Sequence, residues 1–389
     1  MNKKPIYLDY AAATPTDPRV IKTMVDCMSI EGCFGNPHAK DHVYGWEAAE
    51  AVEQARDEVA SLIGVSPLEI TFTSGATESN NLAIFGLAMA LKKQGDKRRH
   101  IITTKIEHKA ILEACALLEE QGYRVTYLTP HRDGIVDVDL LKTVFDEDTF
   151  LVTIAQANSV LGSVCDVHAL AAYTRDQGAF FHTDCAQSAG YIKTDFDNSD
   201  VSMATLTSEK VCGPKGVGAL YVKRSQHIPL TAQIYGGGQE KGLRGGTVAT
   251  HAVAGMGRAF AILQKEGAAD AKRMNELRER LIEGILKIDG AVINGSSEHH
   301  VPGILSVSFE GINGRLLLPT QNGIAASAGS ACASADLKPS YILTAIGHSD
   351  ELARASIRLS LGRFTTAEEI DLAIKELQQK IPALKIKES

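Results

Sequence analysis

Lys210 lies in Thr207-Ser208-Glu209-Lys210-Val211-Cys212-Gly213-Pro214-Lys215-Gly216, between an apolar run and a Gly-Pro turn, where a lysine can point inward. Held near positive centres, such an amine becomes nucleophilic. Asp184 closes a strand-like run ahead of Cys185-Ala186-Gln187. A carboxylate at that end of a strand faces the crevice where α/β sheets bind ligands, and could keep a pyridine nitrogen protonated. Ser74-Gly75-Ala76-Thr77 stands between a strand pattern and a helix pattern. Backbone N–H groups and a threonine hydroxyl at a helix start suit a phosphate. Cys332, in Ala328-Gly329-Ser330-Ala331-Cys332-Ala333-Ser334, is surrounded by small residues that leave its sulfur open to act as a nucleophile. Arg358 interrupts an apolar strand in Ile357-Arg358-Leu359, where a bidentate clamp for an amino-acid carboxylate would be useful. A lysine, an acid for a ring nitrogen and phosphate donors are the requirements of a pyridoxal 5′-phosphate site.

Each feature has a plainer reading. Ser and Thr before a helix are ordinary caps. Asp184 would serve equally as a turn aspartate, Lys210 as a solvated surface lysine, and Arg358 as half of an edge salt bridge. Buried cysteines are mostly structural. The order of the features along the chain carries more than any one of them.

Positioning them requires a particular set of elements. Apolar spacing predicts helices over 16–29 and 45–64, with a loop at Gly32-Cys33-Phe34-Gly35-Asn36-Pro37 between them. From residue 69 to 223 strands alternate with helices. Strands are predicted at 69–73, 100–103, 124–128, 150–155, 179–183, 203–207 and 219–223, and helices up to Lys93 and at 109–121, 138–146 and 167–176. That alternation predicts an α/β fold, a mostly parallel sheet covered by helices. A glycine-rich loop, Gly236 to Thr247, follows. A helical region over 250–287 comes next, with a break expected near Glu266–Ala268. The remainder mixes strands at 304–309 and 356–359 with helices at 339–345 and 368–380, as a smaller α+β domain would.

Composition sets limits. Hydrophobic residues are 44% and charged residues 22%, ordinary for a globular protein, and the formal net charge is −7. That balance gives no support for direct nucleic-acid binding or a broad membrane-binding face. Neither a signal peptide nor a membrane span is apparent, so a cytoplasmic location is expected. The seven cysteines are odd in number and irregularly spaced, without a Cys-x-x-Cys pair. This argues against a disulfide framework and against a zinc site.

The chain resembles the class V aminotransferase-like cysteine desulfurases of the IscS/NifS type over nearly its whole length. The matching motifs begin at Tyr7-Leu8-Asp9-Tyr10-Ala11-Ala12, Phe34-Gly35-Asn36-Pro37, Thr73-Ser74-Gly75-Ala76-Thr77-Glu78-Ser79-Asn80-Asn81 and Glu107-His108-Lys109. They continue with Asp184-x-Ala186-Gln187, Lys210-x-x-Gly213-Pro214-Lys215-Gly216, Gly236-Gly237-Gly238-Gln239-Glu240, Gly329-Ser330-Ala331-Cys332 and Ser360-Leu361-Gly362-Arg363-Phe364.

The resemblance implies a type I PLP-dependent transferase fold. Its large domain would span about 16–262, and a small domain would combine 1–15 with 263–389. Lys210 would bind the cofactor covalently and His108 would stack on its ring. Asp184 would pair with the ring nitrogen, and Gln187 and Ser159 would face the ring hydroxyl. Ala76, Thr77 and Thr207 would hold phosphate, while Thr247 would reach the phosphate of the other subunit of a homodimer. Asn36 and Arg358 would bind the carboxylate of L-cysteine, and Cys332 would take its sulfur as a persulfide for an acceptor protein.

Three positions depart from the family pattern. Glu209 stands where His usually precedes the lysine, Asn158-Ser159-Val160 replaces Asn-Asn-Glu, and Thr207 replaces Ser. Selenocysteine lyase or cysteine sulfinate desulfinase activity is an alternative on the same scaffold. A weakly active scaffold that binds sulfur acceptors is another. The glycine-rich loop with Leu243-Arg244-x-Gly246-Thr247 resembles desulfurases serving DNA phosphorothioate modification, and iron–sulfur cluster assembly and tRNA thiolation stay open.

Overall fold

The computed structural model describes residues 4–328 and 339–386. Strand β1 (Ile6–Tyr7) is followed by helices α1 (Pro18–Met28) and α2 (Val43–Ile63). Asp17 caps α1 by accepting from the Arg19 N–H, with Pro18 at its first position. Gly64 ends α2 at φ 69°, a left-handed conformation that glycine adopts without strain.

The predicted alternation then appears as β2 (Ile70–Thr73), α3 (Ala76–Lys93), β3 (His100–Thr104), α4 (Lys109–Glu120), β4 (Arg124–Leu128), α5 (Val138–Lys142), β5 (Thr149–Thr153), α6 (Val167–Asp176), β6 (Phe180–Asp184), β7 (Met203–Thr207) and β8 (Gly218–Val222). These strands make one seven-stranded sheet in the order β2-β8-β7-β6-β5-β3-β4. Only β8 runs against its two neighbours, β2 and β7; the other pairs are parallel. Helices cover both faces, so β3, β5 and β7 are buried along their whole length. Polar groups inside this sheet are paired across strands. The ring of His182 on β6 bonds Thr153 on β5 at 2.8 Å and Thr205 on β7 at 3.0 Å, and burial pushes its pKa down to about 3.

Helix α7 (Thr250–Ile285) then packs against α1 and α2. It runs unbroken for 36 residues, where sequence had suggested an interruption near Glu266–Ala268. Gly267 is there for close approach instead: a Cβ on it would stand 2.9 Å from the Gly190 carbonyl oxygen.

The rest is β9 (Ala291–Asn294), β10 (Ile304–Phe309), α8 (Gly314–Thr320), β11 (Ile324–Ala325), α9 (Tyr341–Ala345), α10 (Asp350–Arg354), β12 (Ser356–Ser360) and α11 (Ala367–Lys380). A three-stranded antiparallel sheet, β12-β10-β9, builds a second apolar core with α11 and the end of α7. Strand β1 joins this part by pairing with β11. Strand β9 and helices α8 and α10 were not anticipated. They are four, seven and five residues long, and α8 contains Pro319.

Cys115, Cys165, Cys185 and Cys212 are buried thiols, but Cys27 and Cys33 are joined by a disulfide, contrary to the expectation from cysteine spacing. The link is local, closing a turn at the end of α1 with the two Cα atoms 4.6 Å apart. Gly32 allows the turn, because a Cβ there would collide with the Asp26 carbonyl.

Candidate active site

The C-terminal ends of β5, β6 and β7 and the N-terminal end of α3 open onto a cavity of about 590 Å³. Ala76, Thr77, His108, Ser159, Asp184, Gln187, Thr207, Glu209, Lys210 and Arg358 all line it. Residues scattered from 76 to 358 are thus gathered into one crevice, the usual ligand position in an open α/β sheet.

Asp184 ends β6 and is nearly buried. Its two oxygens accept from the Asn80 side-chain amide and the Ala186 N–H, each at 2.8 Å. The carboxylate makes no ion pair among the described residues, so its negative charge is uncompensated at the cavity wall. Lys210 follows β7 and donates from Nζ to the Ala12 carbonyl at 2.5 Å, with Glu209 Oε1 3.2 Å away. Gln187 donates to the Ala11 carbonyl at 3.0 Å.

His108 caps α4: its Nδ1 accepts from the Ala110 N–H at 3.1 Å. A neutral ring held this way carries its proton on Nε2. Beneath it, Glu107 is buried and takes hydrogen bonds from the Thr104 hydroxyl and the Ala155 N–H. Burial, with a smaller push from the charge of Asp184, raises its pKa to about 8. Tyr341, at the start of α9, donates to the Glu107 carbonyl at 2.7 Å, and the Lys109 ammonium sits 4.9 Å from its ring centre.

Arg358 on β12 is almost fully buried. It donates to Asp9 at 2.8 Å and to the Ser159 carbonyl at 2.9 Å, while its Nε has no partner among the described residues. Arg358 lines the cavity, and a guanidinium there is a ready donor for a carboxylate.

Two expected residues are not in this crevice. Asn36 is exposed in the loop between α1 and α2, where its side chain accepts from the His38 N–H. Thr247 is exposed at the end of the glycine-rich loop. Cys332 lies outside the described residues. Conversely, sequence reading assigned no role to Asn80, Asp9, Glu107 or Tyr341. Asn80 was legible in principle: it follows Thr77 by three positions, the spacing that puts two residues on one helical face. Asp9 and Tyr341 act across long sequence distances and leave no periodic signal.

These residues fit pyridoxal 5′-phosphate. No side chain caps α3, so its first N–H groups are left for an anion. Gly75 at that cap has φ 149° and open space where a Cβ would be, so backbone can approach a ligand closely. The uncompensated Asp184 carboxylate suits a protonated ring nitrogen. Arg244 of the glycine-rich loop is tied to Glu78 in the first turn of α3 at 3.1 Å, which brings that loop to the same cradle.

A family model for class-V aminotransferases matches residues 6–372. The chain is 50% identical over 383 residues to the cysteine desulfurase IscS of Proteus mirabilis (strain HI4320), covering 98% of this chain and 94% of that protein. Among solved structures it is similar to a NifS-like protein, with a TM-score of 0.88 and 36% identity over 96% of this chain and 98% of the other. A structure of SspA in complex with cysteine gives a TM-score of 0.82 and 36% identity, covering 92% of this chain and 99% of that one.

Proposed function

Because the chain belongs to the class-V aminotransferase family and is a pyridoxal-phosphate-dependent cysteine desulfurase, we propose that it moves sulfur from L-cysteine to Cys332, using the cavity residues in the roles given below. The balance is L-cysteine plus the Cys332 thiol giving L-alanine plus a Cys332 persulfide. The carbon–sulfur bond of the substrate breaks as a sulfur–sulfur bond forms, and the proton of the thiol ends on the alanine product. The observation that carries this reading is the convergence of Lys210, Asp184 and Arg358 on one cavity.

When bound, the cofactor supplies an electron sink that acidifies the α-carbon of the substrate. The protein does the rest. Asp184, fixed by Asn80 and Ala186, holds a negative charge opposite the ring nitrogen. Thr77, Thr207 and the start of α3 hold the phosphate, and Gln187 and Ser159 face the ring hydroxyl. Arg358 binds the substrate carboxylate with its guanidinium, which Asp9 and the Ser159 carbonyl hold in place. Lys210 would hold the cofactor covalently, and its amine, once free, would carry a proton to and from the α-carbon of the substrate. His108, its Nδ1 engaged by the Ala110 N–H, offers Nε2 as a second proton carrier.

Thr247 and Asn36, outside the cavity of a single chain, support a homodimer in which each subunit completes the site of the other. The domain division at about 262 belongs to the same reading, and falls within α7. Among the described residues no helix is long and apolar enough to cross a membrane; the cytoplasm is the location we assign. The acceptor of the persulfide is a protein thiol. The resemblance of the glycine-rich loop favours DNA phosphorothioation as the pathway, beside iron–sulfur assembly and tRNA thiolation.

The test is release of alanine and sulfide from L-cysteine with a reductant by cofactor-loaded protein, beside C332A and K210A. Turnover lost in both variants supports the assignment. Full activity of C332A would move selenocysteine or cysteine sulfinate ahead as substrates. A wild type that binds cofactor and turns over none of the three would leave the acceptor-binding scaffold.

A further inference from the structure

Glu209 and Lys210 are adjacent in sequence, yet their side chains converge. Neighbouring side chains on a strand point to opposite faces. Here the chain has already left β7 and turned, with the N–H groups of Val211 and Gly213 both donating to the Ser208 carbonyl. The turn is clamped from outside. The Glu209 carbonyl accepts from both the N–H and the hydroxyl of Thr14, at 3.2 and 2.7 Å, and the same hydroxyl accepts from the Cys212 N–H at 2.9 Å. With its backbone held this way, Glu209 presents its carboxylate 3.2 Å from the Lys210 ammonium, and the Ala12 carbonyl accepts from that ammonium at 2.5 Å.

We propose that Glu209 is a positioning residue for Lys210, forming with the Ala12 carbonyl a dock that holds the amine at the cavity wall whenever it is not bonded to the cofactor. This rests on the reading of Lys210 as the cofactor lysine. An ammonium has three donors. One is donated to the Ala12 carbonyl, and the Glu209 carboxylate pairs with the same nitrogen at 3.2 Å from a separate segment. Lysine is a flexible point charge on a long stem, so restricting its swing keeps it near the atom it must attack. A histidine, usual at this position in the family, cannot present a fixed negative charge. The attachment itself is a condensation: the Lys210 nitrogen bonds to the aldehyde carbon, the aldehyde oxygen leaves as water, the proton of the ammonium passes to solvent, and nothing is oxidised or reduced.

The experiment mixes apoprotein with pyridoxal 5′-phosphate and follows the visible absorption of the lysine-bound cofactor, in wild type, E209Q, E209A, E209D and K210A. Total bound cofactor is measured separately by equilibrium dialysis. Expected is covalent capture slowed roughly three-fold or more in E209Q and E209A, as loss of a partly exposed ion pair would give, with dialysis and thermal midpoint unchanged and E209D in between. Capture at the wild-type rate in both E209Q and E209A overturns the proposal. Should E209A not fold, the near-isosteric E209Q decides alone. K210A separates the two readings: the same absorption band in K210A would overturn the assignment of the lysine, whereas a silent K210A beside a fast E209Q overturns only the role of Glu209.

Discussion

Arg358 and Asp9, 349 residues apart, meet at 2.8 Å on the wall of the cavity. The pair fixes the orientation of the guanidinium, and among the described residues Nε has no partner. Arg358 is only 3% exposed, so Asp9→Ala would strand a buried cation. The expected cost is about 2–4 kcal/mol in chemical denaturation. In kinetics the KM for L-cysteine should rise while kcat changes less, because the clamp acts on binding. Arg358→Lys keeps the charge and loses the fork, and should also raise KM, roughly ten-fold. An unchanged KM in D9A would make the pair purely structural.

Glu107 predicts a stability that falls with rising pH. Its ordinary pKa of 4.5 is raised by burial to about 8 in the folded protein. Between these values the folded state keeps a proton that the unfolded state has lost. The contribution is therefore complete below about pH 4.5 and is lost as pH climbs toward 8. Glu107→Gln removes the titration. Wild type should lose on the order of a few kcal/mol relative to E107Q between pH 5 and 8, measured by urea unfolding. His182, whose pKa is lowered to about 3, works the other way, weakening the fold as pH drops below its unfolded value of 6.5. It is present in both proteins and cancels from the difference. A pH-independent difference would mean that Glu107 is ionised in its pocket.

The glycine-rich loop hangs on one buried ion pair. Glu240 meets Arg56 through both oxygens, at 2.8 and 2.9 Å, and also accepts from the Phe72 N–H on β2 at 2.8 Å. Both side chains are almost fully buried. Glu240→Ala should cost about 3 kcal/mol, because the buried Arg56 loses its buried carboxylate partner and keeps only the exposed Glu53 and the Ile70 carbonyl. Thr247→Ala, at an exposed position of the same loop, should change stability by less than about 0.5 kcal/mol. Hydrogen exchange at the Phe72 amide gives a local check: protection should fall in E240A and persist in T247A. A wild-type stability for E240A would show that the loop is held by other contacts.

Residue order by itself determined a great deal. The alternation from Ile70 to Val222 is a local property of apolar spacing, and it yielded the seven strands of the main sheet within a residue or two. The crevice residues Asp184, Thr77 and Lys210 were legible because each sits after a strand or at the start of a helix, and sheet geometry sends such positions to one edge, whereas Thr207 came from the family resemblance. β9, α8 and α10 were not legible; α8 contains Pro319, which reads locally as a helix breaker. Neither was the continuity of α7, where Gly267 reads locally as a breaker and proves to be a point of close packing. The disulfide was missed for a similar reason. Spacing alone does not reveal that Gly32 folds the chain back and brings Cys33 to Cys27.

The tertiary structure alone decided the pairings among charges. Asp9 with Arg358, Glu240 with Arg56 and Asn80 with Asp184 join positions between 104 and 349 residues apart. Sequence supplied the chemical type of each partner, because type is covalent. Their meeting required the fold, because an ion pair or hydrogen bond depends on distances of about 3 Å that no linear spacing encodes.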